Sequence, residues 1–302
     1  MLQPNKLAYG LSLLLIALMG ACNTAPQTEE SASESTTESS AVPALEPATQ
    51  IVALTSLTAD IIHTMDAEKL VGISGSSVLA EDQRFQGLEV VSQGRTEPDL
   101  EKIISLKPDL VIGAQGFHDK TLERLGELNI STLSVNVGSW EELKQLTQDL
   151  AQRIDADPQP LTKRYDSCLA QAQDSAPSVL VLVSRQPLLS PNQKSWAGDF
   201  LQRFNMENLT SDFQGDSPIE GYITLSEEKL LSSNPETLLV VETRREENLL
   251  QQLQENPFWN KLQATQTEQI HSFEYYGLVN PGSIASIEKT CKKLAEINQN
   301  QI

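Results

Sequence analysis

From Gln50 onward, short runs of branched apolar residues alternate with amphipathic stretches. The runs at Ile51–Leu54, Leu70–Ile73, Asp109–Ile112 and Ser131–Val137 predict strands of a first lobe. Those at Ser178–Val183, Thr237–Val241 and Gln269–Phe273 predict strands of a second. Their nearly continuous apolar character points to parallel sheets covered by helices on both faces. Ser139 with Glu142 three residues on makes a capping box that starts a helix around Trp140. Asp157 before Pro158 supplies an N-cap and a first-turn proline for another helix, running to about Asp174. That helix falls between the two strand sets, and no Gly/Ser-rich linker replaces it. The predicted fold class is therefore α/β, two Rossmann-like lobes with central parallel sheets joined by a single long α-helix. The boundaries that follow are 49–156 for the N-terminal lobe, 157–175 for the bridging helix and 176–302 for the C-terminal lobe. A single connecting helix limits the lobes to small relative motions.

One phrase occurs twice. Glu101-Lys102-Ile103-Ile104-Ser105-Leu106-Lys107-Pro108-Asp109-Leu110-Val111-Ile112 returns as Glu228-Lys229-Leu230-Leu231-Ser232-Ser233-Asn234-Pro235-Glu236-Thr237-Leu238-Leu239, at a constant offset of 127 (228 − 101). Both copies read as a helix end, a break at a proline and an acid, and a buried strand. A single repeat at roughly domain length suggests two similar lobes rather than a solenoid. Each lobe then carries one acid at an equivalent place, Glu101 and Glu228. The other reading is a chance likeness of two helix-to-strand units.

The N-terminus has the form of an export signal. Lys6 supplies positive charge, Leu11 to Met19 an apolar run too short to span a bilayer, and Met19-Gly20-Ala21-Cys22 a small-residue end. Residues 1–21 are expected to be removed. The small residues before cysteine resemble a lipobox, in which Cys22 is acylated; an ordinary signal peptide is the alternative. Residues 22–48 are rich in Ser, Thr, Glu, Pro and Ala, cannot offset their ordering entropy, and are expected to form a disordered tether. A tether behind a lipid confines the folded part near the membrane and raises its effective concentration toward a membrane partner.

Composition narrows the partners. The formal net charge of the 302-residue chain is −19, which disfavours nucleic-acid binding because phosphate neutralisation needs a basic face. Beyond Cys22 only Cys168 and Cys291 remain, both in predicted helices; a disulfide is permitted by compartment but not indicated by spacing, and buried free thiols are the expectation. No GxGxxG after a strand, GxxxxGK[ST] loop or GxSxG elbow is present, and His63, His118 and His271 lack ligand spacing. An enzyme is not expected, and no metal site on the protein is predicted.

In open α/β sheets ligands bind beyond the carboxyl ends of the strands. In the first lobe those loops hold Thr55-Ser56, Gly75-Ser76, Gly94-Arg95-Thr96 and Gln115-Gly116-Phe117-His118. In the second they hold Ser184-Arg185, the stretch through Trp196, Tyr222, Arg244-Arg245 and Tyr275-Tyr276. The candidates are Arg95, Phe117, Arg185, Trp196, Tyr222, Arg244 and Tyr276. Guanidinium groups suit carboxylate or hydroxamate oxygens, and aromatic faces pack a large ligand with little entropy loss. Each has a plainer reading too: solvated loop arginines, a core tryptophan, rim tyrosines and a packing phenylalanine.

Several of these stretches resemble a known family. Ile51 to Gly75 is similar to the opening strand, helix and strand of the class III periplasmic binding proteins, the substrate-binding proteins of ABC importers for ferric siderophores, haem and vitamin B12. Gly94-Arg95-Thr96-Glu97-Pro98-Asp99-Leu100-Glu101, followed by Leu106-Lys107-Pro108-Asp109-Leu110-Val111, resembles that family's most recognisable block. Pro257-Phe258-Trp259-Asn260-Lys261-Leu262 looks like its late P-x-W-x-x-L segment. The resemblance implies two α/β lobes joined by one helix. It implies that Glu101 and Glu228 dock into arginine pockets on the ABC permease, and that Arg95 holds a ferric hydroxamate or citrate-type siderophore with Phe117 as a cleft aromatic. On this expectation there is no intrinsic cofactor and iron(III) arrives inside the siderophore. The protein would be a lipid-anchored monomer on the outer face of the cell membrane, with the permease, the chelate and the membrane as partners. Haem, a corrinoid or another metal chelate on the same scaffold is the alternative, and a tethered sensor or a two-lobe enzyme a more distant one.

Overall fold

The computed structural model describes residues 46–93, 96–174, 177–213, 217, 219–243 and 248–299. The export signal, Cys22 and most of the tether lie outside the described residues. The first lobe runs β1 (Ile51–Ala53), α1 (Ser56–Asp66), β2 (Leu70–Gly75), α2 (Ser77–Ala80), β3 (Glu89–Gln93), α3 (Leu100–Ser105), β4 (Leu110–Ala114), α4 (Asp119–Glu127) and β5 (Ser131–Val135). Its strands form one parallel sheet in the order β3-β2-β1-β4-β5. The connection to the second lobe is α5 (Trp140–Ile154) and α6 (Gln159–Leu169).

The second lobe continues β6 (Ser178–Leu182), β7 (Ser184–Arg185), β8 (Leu188–Pro191), α7 (Trp196–Arg203), β9 (Glu207–Asn208), β10 (Tyr222–Leu225), α8 (Glu227–Ser233), β11 (Thr237–Glu242), α9 (Leu249–Gln254), α10 (Gln263–Gln266), β12 (Ile270–Glu274), α11 (Tyr275–Leu278) and α12 (Ile284–Gln299). A parallel sheet in the order β12-β11-β6-β9 forms its centre. A small antiparallel sheet, β10-β8-β7, stands beside it. Every strand expected from the apolar runs is present. The antiparallel sheet and the short edge strands β3 and β9 were not foreseen, because they lack a continuous apolar run and depend on partners distant in sequence.

Helices begin where a short polar side chain follows a strand. Thr55 caps α1 by accepting from Thr58 N at 3.2 Å, Asp99 caps α3 by accepting from Lys102 N at 3.0 Å, and Ser226 caps α8 by accepting from Lys229 N at 3.1 Å. The expected box at α5 forms with one change. Ser139 Oγ accepts from Glu142 N at 3.2 Å, but the Glu142 carboxylate accepts from Gly138 N at 2.6 Å, one residue earlier than the usual reciprocal bond.

The sequence repeat is also a repeat in space. Lys107 and Asn234, at the same offset, both take positive φ (52° and 39°) and end α3 and α8. The acids after the two prolines then tie the sheets together. Asp109 accepts from Thr49 N at 2.7 Å just before β1, and Glu236 accepts from Ser178 N at 2.9 Å at the start of β6. Chance likeness leaves this matched pair of long-range bonds unexplained.

The connection between lobes differs from the expected single long helix. The helix starting after Pro158 ends at Leu169, short of Asp174, where the bonds tighten to three residues back, Gln171 N to Cys168 O at 3.1 Å and Ala172 N to Leu169 O at 3.0 Å. Asp155, left-handed at φ 49° and ψ 54°, separates it from α5. Both helices touch both lobes: α5 packs on α1 and α7, and α6 on α1 and α12. One apolar cluster runs through all of them, from Ile51 and Ile61 through Trp140 and Tyr165 to Val181, Phe200 and Leu294.

Cys168 and Cys291, expected as free thiols, are joined in a disulfide with Cα atoms 5.6 Å apart. They lie 123 residues apart on α6 and α12, so no local spacing could reveal the pair. One turn away, Arg164 donates to both carboxylate oxygens of Glu288 at 2.7 and 2.8 Å, holding the same two helices in register. That guanidinium keeps the Glu288 carboxyl below its ordinary value.

Asp60, fully buried on α1, supplies a polar contact across the lobes. Its Oδ2 accepts from Ile284 N, the first residue of α12, at 2.7 Å. Its Oδ1 lies 2.9 Å from an Arg84 amino nitrogen, an ion pair set off the line of the N–H bonds. A carboxylate at a helix N-terminus meets orphan donors and the positive end of the dipole. Asp60→Ala is expected to destabilise the protein by about 2–3 kcal/mol, the scale of a hydrogen bond to a charged group. Denaturant unfolding checks this, and an unchanged midpoint at an unchanged slope contradicts it.

Candidate functional site

Strand order locates the crevice in each lobe. In the first, the chain leaves β1 toward β2 and β3 on one side and returns to β4 on the other, so the sheet's direction reverses between β1 and β4. In the second the same reversal lies between β6 and β11. Ligands in such sheets sit outside the carboxyl ends at the reversal. The flanking loops are Thr55-Ser56 and Gln115–Phe117 in the first lobe, Ser184-Arg185 and Thr243 in the second. The repeated block feeds β4 and β11, so each copy delivers a strand to a reversal point.

The loop after β4 is built to present Phe117. Gly116 takes φ 76°, and its N–H donates to Asp119 Oδ1 at 2.9 Å. His118 turns inward, 6% exposed, and its Nδ1 accepts from Ala114 N at 2.9 Å. Phe117 is left 59% exposed, edge-on to the His118 ring at 4.8 Å. An aromatic this open on a tied-down turn is available to a ligand.

In the second lobe the candidates separate. Tyr222, half-buried, opens β10 opposite Pro191. Burial, with Tyr275 adding to it, raises its phenol well above the ordinary value, so it acts as a neutral hydrogen-bonding ring. Tyr276 is edge-on to Tyr275 at 5.4 Å and lines a hollow of about 250 Å³ with Glu242, Glu274, Lys289 and Lys293. Arg185, exposed on β7, lines another hollow of about 570 Å³ with Leu188, Leu225, Glu227 and Phe258. Arg95 and Arg244 lie outside the described residues, as does Cys22.

Trp196 corrects the expectation. It is 3% exposed, stacked on Trp140 with ring centres 5.7 Å apart and 17° between planes, and its Nε1 donates to Gly277 O at 2.8 Å. With its face covered and its donor satisfied, it is part of the junction between lobes and offers nothing to a ligand. The residues that cover it were missed in the sequence. Trp140 is one, itself held by Asp199, which accepts from Trp140 N at 2.8 Å, and Phe200, with its ring centre 5.4 Å away, is another. Only the capping box before Trp140 marked that position.

Glu101 and Glu228 are both the second residue of their helices, both exposed, and neither makes a hydrogen bond or ion pair among the described residues. Among the described residues no helix is long and apolar enough to cross a membrane. No group of three or more metal-ligating side chains occurs among them either.

The family model for periplasmic binding proteins matches residues 51–274, spanning both sheets and both copies of the repeat. The chain belongs to this family. Among the binding proteins it is similar to, the iron-uptake system-binding protein of Bacillus subtilis (strain 168) is 24% identical over 324 aligned positions, covering 98% of this chain and 100% of that protein. The Fe(3+) dicitrate-binding periplasmic protein FecB of Escherichia coli (strain K12) is 25% identical, over 68% of this chain and 69% of that one. In solved structures, the periplasmic vitamin B12 binding protein BtuF of Vibrio cholerae superposes with a TM-score of 0.60 at 19% identity, over 84% of this chain and 98% of that one.

In this binding protein the turn that presents Phe117 depends on a neutral imidazole, since a proton on His118 Nδ1 would oppose the Ala114 N–H. Burial holds the His118 pKa below its ordinary value, with Asp119 opposing. The unfolded chain therefore binds the extra proton more readily, and stability attributable to His118 is full above the unfolded value and lost as pH falls through the folded one. An NMR titration of the ring should give a midpoint below that of histidine in the urea-unfolded chain. A midpoint at or above it would refute the role of the neutral ring.

Proposed function

We propose that this periplasmic binding protein is lipid-anchored at Cys22, captures an iron(III)-siderophore complex of hydroxamate or citrate type between its lobes, and delivers it to the permease of an ABC importer. The observation that carries this reading is the matched pair of exposed glutamates, one per lobe at the same helical turn and without a partner among the described residues, in a chain alignable end to end with an iron-uptake binding protein. Two exposed carboxylates fixed on one scaffold suit two basic sites on one membrane partner. Close charge pairs desolvated at an interface couple by about 1.5–7 kcal/mol, far more than lone surface pairs.

The ligand is read from arginines that follow strand ends in the sequence. Arg95 comes two residues after the end of β3, and Arg244 two residues after the end of β11. A chain of net charge −19 needs such local cations to hold an anionic chelate against its own field. With Arg185 they would hold ligand oxygens, while Phe117, Tyr222 and Tyr276 would pack its body. Iron stays inside the chelate.

A corrinoid is the second reading, favoured by the likeness to the vitamin B12 binder. Haem ligation by His118 is opposed by its burial and by the bond its Nδ1 accepts.

Fluorescence titration of the mature protein, Cys22 replaced, against ferric hydroxamate, ferric citrate, cobalamin and haem decides the ligand. Saturable binding of a ferric siderophore alone is expected, and binding of cobalamin alone would replace it with the second reading. Arg95→Ala should weaken siderophore binding at least tenfold, on the scale of one charge-assisted bond. Equal affinity would remove Arg95 from the site. Glu101→Ala combined with Glu228→Ala should leave that affinity intact and abolish uptake in cells, and normal uptake would overturn the docking role.

A further inference from the structure

The two docking glutamates sit in a five-residue block whose other members are arranged alike in both lobes. The lysine after each glutamate folds back onto its own lobe. Lys102 donates to Val90 O at 2.7 Å and pairs with Glu89, while Lys229 lies over the Phe213 ring at 4.3 Å. The serine four residues on is exposed but donates within its own helix, Ser105 Oγ to Lys102 O at 2.7 Å and Ser232 Oγ to Lys229 O at 2.9 Å. One turn along the helix from each glutamate stands an aliphatic side chain, Ile104 or Leu231.

The copies differ at that aliphatic position. Leu231 is half-buried and packed against the second lobe's core, whereas Ile104 is 40% exposed. An apolar residue beside an unpaired carboxylate matches a partner that brings a guanidinium on an apolar stem, because arginine buries its methylenes while its head stays with the charge. Building on the docking reading, we propose that Ile104 is the apolar anchor of the first-lobe contact. The two docking patches are thus unequal, and the first lobe grips more strongly an arginine-bearing extracytoplasmic element of the permease.

The test is uptake of ferric siderophore by cells in which the native chain is replaced with full-length variants at limiting expression. Ile104→Ser should lower uptake about fivefold, the scale expected for losing burial of the exposed part of one isoleucine. Ile104→Leu should restore it, Leu231→Ser should lower it less than Ile104→Ser does, and siderophore affinity of the purified Ile104→Ser protein should be unchanged. Full uptake with Ile104→Ser, while the double glutamate variant abolishes it, overturns the anchor and leaves docking intact. Full uptake with both overturns docking and the anchor together. An equal loss with Leu128→Ser, another exposed leucine on the first lobe, reduces the effect to general surface hydrophobicity and also overturns the proposal.

Discussion

A buried carboxylate holds the two lobes in one arrangement. Asp60 belongs to the first helix of the first lobe, yet its best hydrogen bond goes to the first residue of the last helix. A charge with no exposed surface is tolerable only while its partners stay in place, so any rotation that withdraws α12 from α1 strands it. The apolar cluster through α1, α5, α6 and α12 adds the same restraint without direction, and the Arg164–Glu288 fork adds it with direction. Together these restraints limit how far the two lobes can turn against each other. Preorganisation of this kind lowers the ordering cost of binding.

The parts legible in the sequence were those set by near neighbours. Buried strands declare themselves by apolar runs, and helix starts by a threonine, serine or aspartate just after a strand. The repeat was visible because both copies needed the same helix, the same left-handed stop and the same acid returning to the preceding strand. Trp196 and Phe117 show the limit. Both are aromatic and both follow strands, and nothing local says that one is covered by Trp140 while the other stands on a turn held open by Gly116 and His118. The disulfide and the β10-β8-β7 sheet were hidden for the same reason, since each needs partners that only the finished fold brings together.

Charge is used selectively. The chain is strongly acidic, yet near Glu101 and Glu228 the cations are spent within each lobe, on a carbonyl, a carboxylate and an aromatic face. That arrangement leaves Glu101 and Glu228 as outward negative charges on otherwise neutralised turns. Non-specific attraction to anionic surfaces is weak for such a molecule, and discrimination rests on where a few groups sit rather than on total charge.

The Cys168–Cys291 bond has a topological effect as well. It encloses β6 through β12, so all the strands of the second lobe lie inside one covalent ring, closed against the connecting helix. The first lobe has no such ring among the described residues. A single proteolytic cut in any loop of the second lobe would open the ring without releasing a fragment, and the severed ends would stay close enough to refold. Outside the cytoplasm, where disulfides persist, the second lobe is thereby made tolerant of nicking in a way the first is not.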